Sequence, residues 1–212
     1  MRSPSVPVMS APSPPYFSII IVGAGPTGLA MGNLLGMFGI DVLILERNAG
    51  LSDFPKAISI DDEGLRICQA MGLGHAVIEN VLLDIDAHYI SGKRYLAQVA
   101  PTSKRNGYPL ISTFHQPEFE ATLLHGLKRF PCVSIQFQYN VETFEQSETD
   151  VVLTVRTSEG ILKTYTCAYL LACDGAKSAI RRQLGIAMRG STFSQKWLVI
   201  DTINDTDPSE VA

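Results

Sequence analysis

FSIIIVGAGPTGLAMGNLLGMFGIDVLILE, residues 17–46, reads as strand, tight turn, helix and second strand. Residues 17–22 (FSIIIV) form a short β-branched run, suited to a strand buried on both faces. The turn that follows, Gly23-Ala24-Gly25-Pro26-Thr27-Gly28, spaces its glycines as G-x-G-x-x-G. Gly23 permits the sharp exit from the strand. Gly25, without a Cβ, lets the backbone come close to a phosphate, and Gly28 lets the helix lie near the strand. Pro26 falls at the start of that helix, where a missing N–H costs little. The helix is expected to run to Phe38 and to end at Gly39. Its free N–H groups and positive dipole end point at the turn. Residues 41–45 (DVLIL) read as the second buried strand, and Glu46 closes it about 20 residues after the turn. A carboxylate there accepts hydrogen bonds from ribose hydroxyls and repels a ribose 2′-phosphate. Together these features predict a site for the pyrophosphate and adenosine ribose of FAD or NAD, and not of NADP.

The rest of the 212 residues sets bounds on partners and setting. A hydrophobic content of 46%, a charged content of 18% and a net charge of −4 fit a globular chain with a real core and give no sign of nucleic-acid binding. No apolar run approaches membrane-spanning length. Residues 1–15 are rich in Ser and Pro, lack an apolar h-region, and read as a disordered tail rather than a signal peptide. Cys68, Cys132, Cys167 and Cys173 form no C-x-x-C pair. They suggest buried free thiols, a reducing cytoplasmic compartment and no metal site.

Asp61 is expected to cap a helix opening with Asp62 and Glu63, with Leu65, Ile67, Cys68 and Met71 on its apolar side. Residues 81–100 turn strand-like, with a hairpin at Ser91-Gly92, and suggest an inserted sheet. Residues 116–130 read as an amphipathic helix and 133–137 as a third parallel strand. Residues 141–144, 151–157 and 161–166 suggest an antiparallel meander. A separate buried strand is expected at 169–173, then a helix at 176–184 and a last strand at 196–203. Asp174 and Gly175 would stand at the carboxyl end of a strand, the edge where open α/β sheets bind ligands.

Three motifs carry a family resemblance over roughly residues 16–204: the glycine turn with Glu46; FPKAISIDDE at 54–63; and CDGAKSAIRR at 173–182. The sequence resembles the single-component FAD monooxygenases that hydroxylate aromatic rings. The resemblance implies a Rossmann-like α/β FAD-binding domain with a parallel sheet, an antiparallel β-meander and the beginning of a substrate-binding sheet. It divides the chain into the tail at 1–15, an FAD-binding domain at 16–80 and 101–184, and a partial substrate sheet at 81–100 and 185–212. It implies FAD as cofactor, NADH or NADPH as reductant, and O₂ and a small phenolic compound as substrates. By the same resemblance Gln116 touches the ribityl or pyrophosphate part of FAD. Asp174, Gly175 and Arg181 serve FAD and the nicotinamide. Arg47 lies against the adenine, with a solvated surface Arg as the alternative. Lys56 stands where the family usually has Arg, keeping the charge without the planar fork. No acid–base catalyst is named. Relatives are far longer and carry a second FAD contact of the G-D-A-A-H type, which this sequence lacks after Gly175. Two readings therefore stand: an aromatic hydroxylase, or an FAD-binding fragment without turnover that needs a missing half or a partner chain. A third, an amine-oxidase-like flavoenzyme, is disfavoured by the Asp174-Gly175 segment.

Overall fold

Alternation along the first strand, β1 (Tyr16–Val22), sends Ile19 and Ile21 to one face and Ile20 and Val22 to the other. Both faces are covered, which is why the run is apolar throughout. The computed structural model describes residues 13–53, 56–191, 193–196 and 198. β1 is followed by α1 (Pro26–Met37) and β2 (Val42–Glu46), the strand–helix–strand unit expected from the sequence. Gly39 leaves the helix at φ 68°, as a helix-terminating glycine does. In β2 the same alternation places Val42 and Ile44 on one side and Leu43 and Leu45 on the other. Ile20, Ile21, Leu43, Ile44 and Leu45 are almost fully buried, each contributing about 1.5–3 kcal/mol relative to exposure.

The chain continues through β3 (Ser59–Ile60), α2 (Asp62–Ala70), α3 (Gly74–Ile78), β4 (Val81–Leu83), β5 (Ala87–Ser91), β6 (Arg94–Val99), β7 (Ser112–Phe114) and α4 (Gln116–Leu127). Then come β8 (Val133–Phe137), β9 (Tyr139–Gln146), β10 (Val151–Thr157), β11 (Leu162–Ala172) and α5 (Ala179–Gln183). The main sheet has the order β8-β2-β1-β11-β10-β9. Its first four strands are parallel, and β10 and β9 extend it antiparallel. Helices α1, α2 and α4 pack one face, around Leu29, Leu65, Leu123 and Leu127. The other face buries Leu153, Val155, Cys167 and Ile180. The fold class read from the sequence is the one observed.

Asp61 does cap α2, its Oδ1 accepting from the Gly64 N–H at 2.8 Å. Residues 81–100 form two small structures. β4 joins a three-stranded sheet with β7 and β3, while β5 and β6 pair only with each other around Gly92. Other expectations need correction. The two strands expected at 161–166 and 169–173 are one, the eleven-residue β11. Its first half pairs with β10 and its second with β1, so the change from polar to apolar composition marks a change of neighbours and not a break. It is also less buried than expected, Tyr169 being 68% exposed. The last helix is shorter, beginning at Ala179 after a turn. The helix α3 went unread because five residues show no period. The tail at 1–15 and the strand at 196–203 fall mostly outside the described residues, as do Phe54 and Pro55 of the second motif. No helix among the described residues is long and apolar enough to cross a membrane.

A polar knot ties the helical layer to itself. Asn33 is fully buried on α1; its Nδ2 donates to the carbonyls of Leu29 and Leu123 at 2.9 and 2.8 Å. Its Oδ1 accepts from Arg129 Nη2 at 2.9 Å, and the same Nη2 donates to the Met71 carbonyl at 2.9 Å. Helices α1, α2 and α4 are thereby held to one another.

Candidate functional site

The carboxyl ends of β1, β2 and β11 meet at one sheet edge, and each delivers one part of a cavity of about 400 Å³. β1 delivers the glycine turn. Gly23 has φ 103°, a conformation that a residue with a Cβ rarely adopts. Gly28 packs so tightly that a Cβ would fall inside the contact radius of the Gly23 carbonyl oxygen. Gly25 differs from both. An added Cβ there meets nothing within 4 Å, so the open space lies on the cavity side. The first N–H groups of a helix have no intrahelical acceptor, and Pro26 and Thr27 at the start of α1 line the same cavity.

β2 delivers Glu46, which is 8% exposed. Its Oε2 accepts from the Ala24 N–H at 2.8 Å and its Oε1 from the Asn48 N–H at 2.9 Å. The carboxylate is thus fixed against the turn, and each oxygen keeps a second lone pair for a ligand hydroxyl. β11 delivers Cys173, Asp174 and Gly175. Asp174 Oδ2 accepts from the Ala179 and Ile180 N–H groups at 2.7 and 3.3 Å, fixing the start of α5. Burial and the neighbouring Asp174 carboxylate push the Cys173 thiol up. Burial likewise pushes Cys68 and Cys167 up to about 11.

Of the residues singled out from the sequence, Gly23, Gly25, Pro26, Thr27, Glu46, Arg47, Lys56, Gln116, Asp174 and Gly175 line this one cavity. Ala24 stands behind it as the donor to Glu46, and Gly28 underlies it. Arg181 lies elsewhere. It lines an adjoining cleft, its Nη1 3.4 Å from the Ala176 carbonyl, while the next residue, Arg182, lines the cavity. On a five-residue helix a phase difference of one position decides which side chain faces inward, and sequence spacing does not resolve it.

Gln116 lines the cavity but is buried, and most of its polar capacity is committed inside the protein. Its Oε1 accepts from the Lys56 and Ala57 N–H groups at 2.6 and 2.9 Å; its Nε2 donates to Glu120 Oε1 at 2.7 Å. Sequence reading missed Glu120, although an i,i+4 Gln–Glu pair on a helix is a visible signal. It also missed the wall formed by Tyr139, Asn140 and Val141. These follow a corner at Gln138 (φ 64°), whose N–H donates to the Asn48 carbonyl at 2.9 Å. That bond sets the start of β9 beside the Glu46 turn. Among the described residues no group of three His, Cys, Asp or Glu gathers as a metal site would require.

A glycine turn at a helix N-terminus, an anchored acid at the next strand end and a capped helix across the sheet edge are the features of a dinucleotide-binding α/β domain. The chain belongs to the family described as the FAD binding domain, which it matches over residues 16–212. It is 40% identical over 188 residues to a 3-(3-hydroxy-phenyl)propionate/3-hydroxycinnamic acid hydroxylase of Shigella sonnei (strain Ss046). The match to a hydroxylase of the same name from Escherichia coli (strain SMS-3-5 / SECEC) is equally close. Each alignment covers 88% of this chain and 34% of the relative, so the chain spans about a third of these relatives' length. Among solved structures, p-nitrophenol 4-monooxygenase PnpA from Pseudomonas putida DLL-E4 superposes with a TM-score of 0.79. It is 24% identical, and the overlap covers 86% of this chain and 47% of that one, a likeness of fold. The anhydrotetracycline hydroxylase OxyS from Streptomyces rimosus superposes with a TM-score of 0.68 at 28% identity, covering 84% of this chain and 35% of that one. The resemblance to flavoprotein monooxygenases read from the three motifs is borne out.

Proposed function

We propose that this chain is the FAD-binding part of an NAD(P)H-dependent monooxygenase that hydroxylates a phenolic ring of the 3-(3-hydroxyphenyl)propionate kind. The observation that carries the cofactor reading is Glu46, anchored to the Ala24 amide beside the open space at Gly25. The residues fit FAD: Glu46 would take the adenosine ribose hydroxyls, and the turn and the start of α1 would take the diphosphate. Arg47, Lys56 and Arg182 place positive charge around the same cavity. Asp174 and Gly175 would border the far side of the diphosphate; Gln116 keeps one Nε2 hydrogen for the ribityl side. Bound FAD supplies the redox chemistry, taking hydride from NADH or NADPH and using O₂ to hydroxylate the ring. The protein's part would be to hold the dinucleotide at the sheet edge and to exclude a 2′-phosphate at Glu46. The aromatic substrate class is that of the hydroxylases to which the chain is similar. The exposed β5–β6 hairpin is read as the beginning of a substrate-binding sheet, and the four free thiols support a reducing, cytoplasmic setting.

A second reading is FAD binding without turnover; the chain spans about a third of the relatives' length. Turnover would then need further polypeptide, in the same chain or from a partner. One incubation separates the two. Protein, FAD, NADH or NADPH and 3-(3-hydroxyphenyl)propionate are mixed in air. Substrate-stimulated nicotinamide oxidation with a hydroxylated product is the enzyme's result. Bound FAD without either is the binding module's. The cofactor reading has its own test. Glu46→Ala is expected to weaken FAD binding about 10- to 100-fold, since a hydrogen bond to a charged group is worth about 1.5–3 kcal/mol. Flavin fluorescence titration measures it, and unchanged affinity overturns the ribose assignment.

A further inference from the structure

We infer that Glu120 is a positioning residue for the cofactor cavity, acting through Gln116 to fix the Lys56 segment at its mouth; the inference rests on the FAD reading above. Glu120 is 2% exposed on α4, one helical turn after Gln116, which is 3% exposed. A glutamine amide has two orientations of nearly equal shape, so only its hydrogen-bond partners choose between them. Glu120 Oε1 accepts here, and a backbone N–H only donates. Glu120 therefore requires the NH₂ of Gln116 to face it, at 2.7 Å from its Oε1. That leaves Oε1 of Gln116 facing the amides of Lys56 and Ala57, at 2.6 and 2.9 Å. All three bonds specify one orientation.

The consequence reaches the cavity because Lys56, Ala57, Gln116 and Glu120 all line it. The Lys56 segment is tied to α4 by one oxygen atom across 59 and 60 positions of sequence. Without Glu120 the buried Nε2 of Gln116 loses its acceptor, and the oxygen that holds two backbone N–H groups at the cavity is secured by those two bonds alone. The segment bearing Lys56 then no longer stands at one distance from a bound dinucleotide. Glu120 itself need not touch the ligand.

The test is a set of variants read by FAD titration and by amide hydrogen exchange at Lys56 and Ala57 in the FAD-free protein. Glu120→Gln can still present an oxygen to Gln116, and is expected to keep exchange protection and to bind FAD within about 2-fold of wild type. Glu120→Leu keeps much of the volume but no acceptor. It is expected to lose protection at both amides and to weaken FAD binding at least about 10-fold. Gln116→Glu sets two carboxylates face to face and should behave like Glu120→Leu. The double variant Gln116→Glu/Glu120→Gln reverses the pair and restores all three bonds, so it should recover both readouts. That recovery keeps the test decisive if Glu120→Leu does not fold. The inference is overturned if Glu120→Gln loses as much as Glu120→Leu, if protection at Lys56 and Ala57 survives in Glu120→Leu, or if the double variant fails to recover. Should the wild type bind no FAD, the cofactor reading falls, and the exchange data still decide whether the clamp exists.

Discussion

Gly25→Val is expected to abolish FAD binding while leaving the protein without cofactor folded. The residue has φ −75° and ψ −176°, an extended conformation that valine adopts readily. A Cβ at this position meets no protein atom within 4 Å. The added side chain therefore extends into the cavity beside the first turn of α1, where the proposed function places the diphosphate. As the residue preceding a helix, valine is a poorer choice than glycine, at a cost of about 1 kcal/mol. The effect on the ligand is much larger. The dissociation constant should rise at least 100-fold, about 2.7 kcal/mol or more. Fluorescence titration and a urea melt of the same preparation measure the two separately. Wild-type affinity in a folded variant would remove the turn from the site.

The parts of the site that were legible in the sequence are those set by neighbours in the chain. G-x-G-x-x-G and the acid that closes the next strand are each defined within one strand–helix–strand unit, and the structure brings them to one cavity. Asp174 was legible for the same reason, as the start of a helix after a strand. What was not legible depends on distant neighbours. Gln116 was singled out, yet the amides that occupy its oxygen lie at Lys56 and Ala57. Tyr139 to Val141 reach the cavity only because Gln138 bonds to Asn48 across the sheet. The unbroken β11 was split because its two halves have different neighbours, one facing the meander and the other the parallel sheet. The pair of buried Asn33 and Arg129 spans 96 positions and carries no motif at all.

Gly28→Ala should give the opposite result to Gly25→Val, although the two glycines belong to one motif. Gly28 is buried in the first turn of α1, where a methyl group would overlap the Gly23 carbonyl and stand 3.4 Å from Cys173 Cβ. Neither neighbour can yield easily. Gly23 is held at φ 103° and its N–H is bonded to the Leu45 carbonyl at 2.8 Å. Cys173 is fixed by its N–H bond to the Val22 carbonyl at 2.9 Å. Helix α1 must therefore move off the sheet, and overpacking against backbone should cost about 3 kcal/mol or more. With a urea slope of about 2 kcal/mol/M, the unfolding midpoint falls by about 1.5 M. Gly25→Ala, with open space around it, should lose no more than about 1 kcal/mol. Gly28 underlies the cavity and does not line it, so the fraction of Gly28→Ala that folds should still bind. FAD at 100 times its dissociation constant adds about 2.7 kcal/mol to a state that binds it. Saturating FAD should thus raise the Gly28→Ala midpoint most of the way back and leave the Gly25→Val midpoint where it was. A Gly28→Ala protein that melts with wild type would mean that α1 does not pack against the turn as closely as the structure has it.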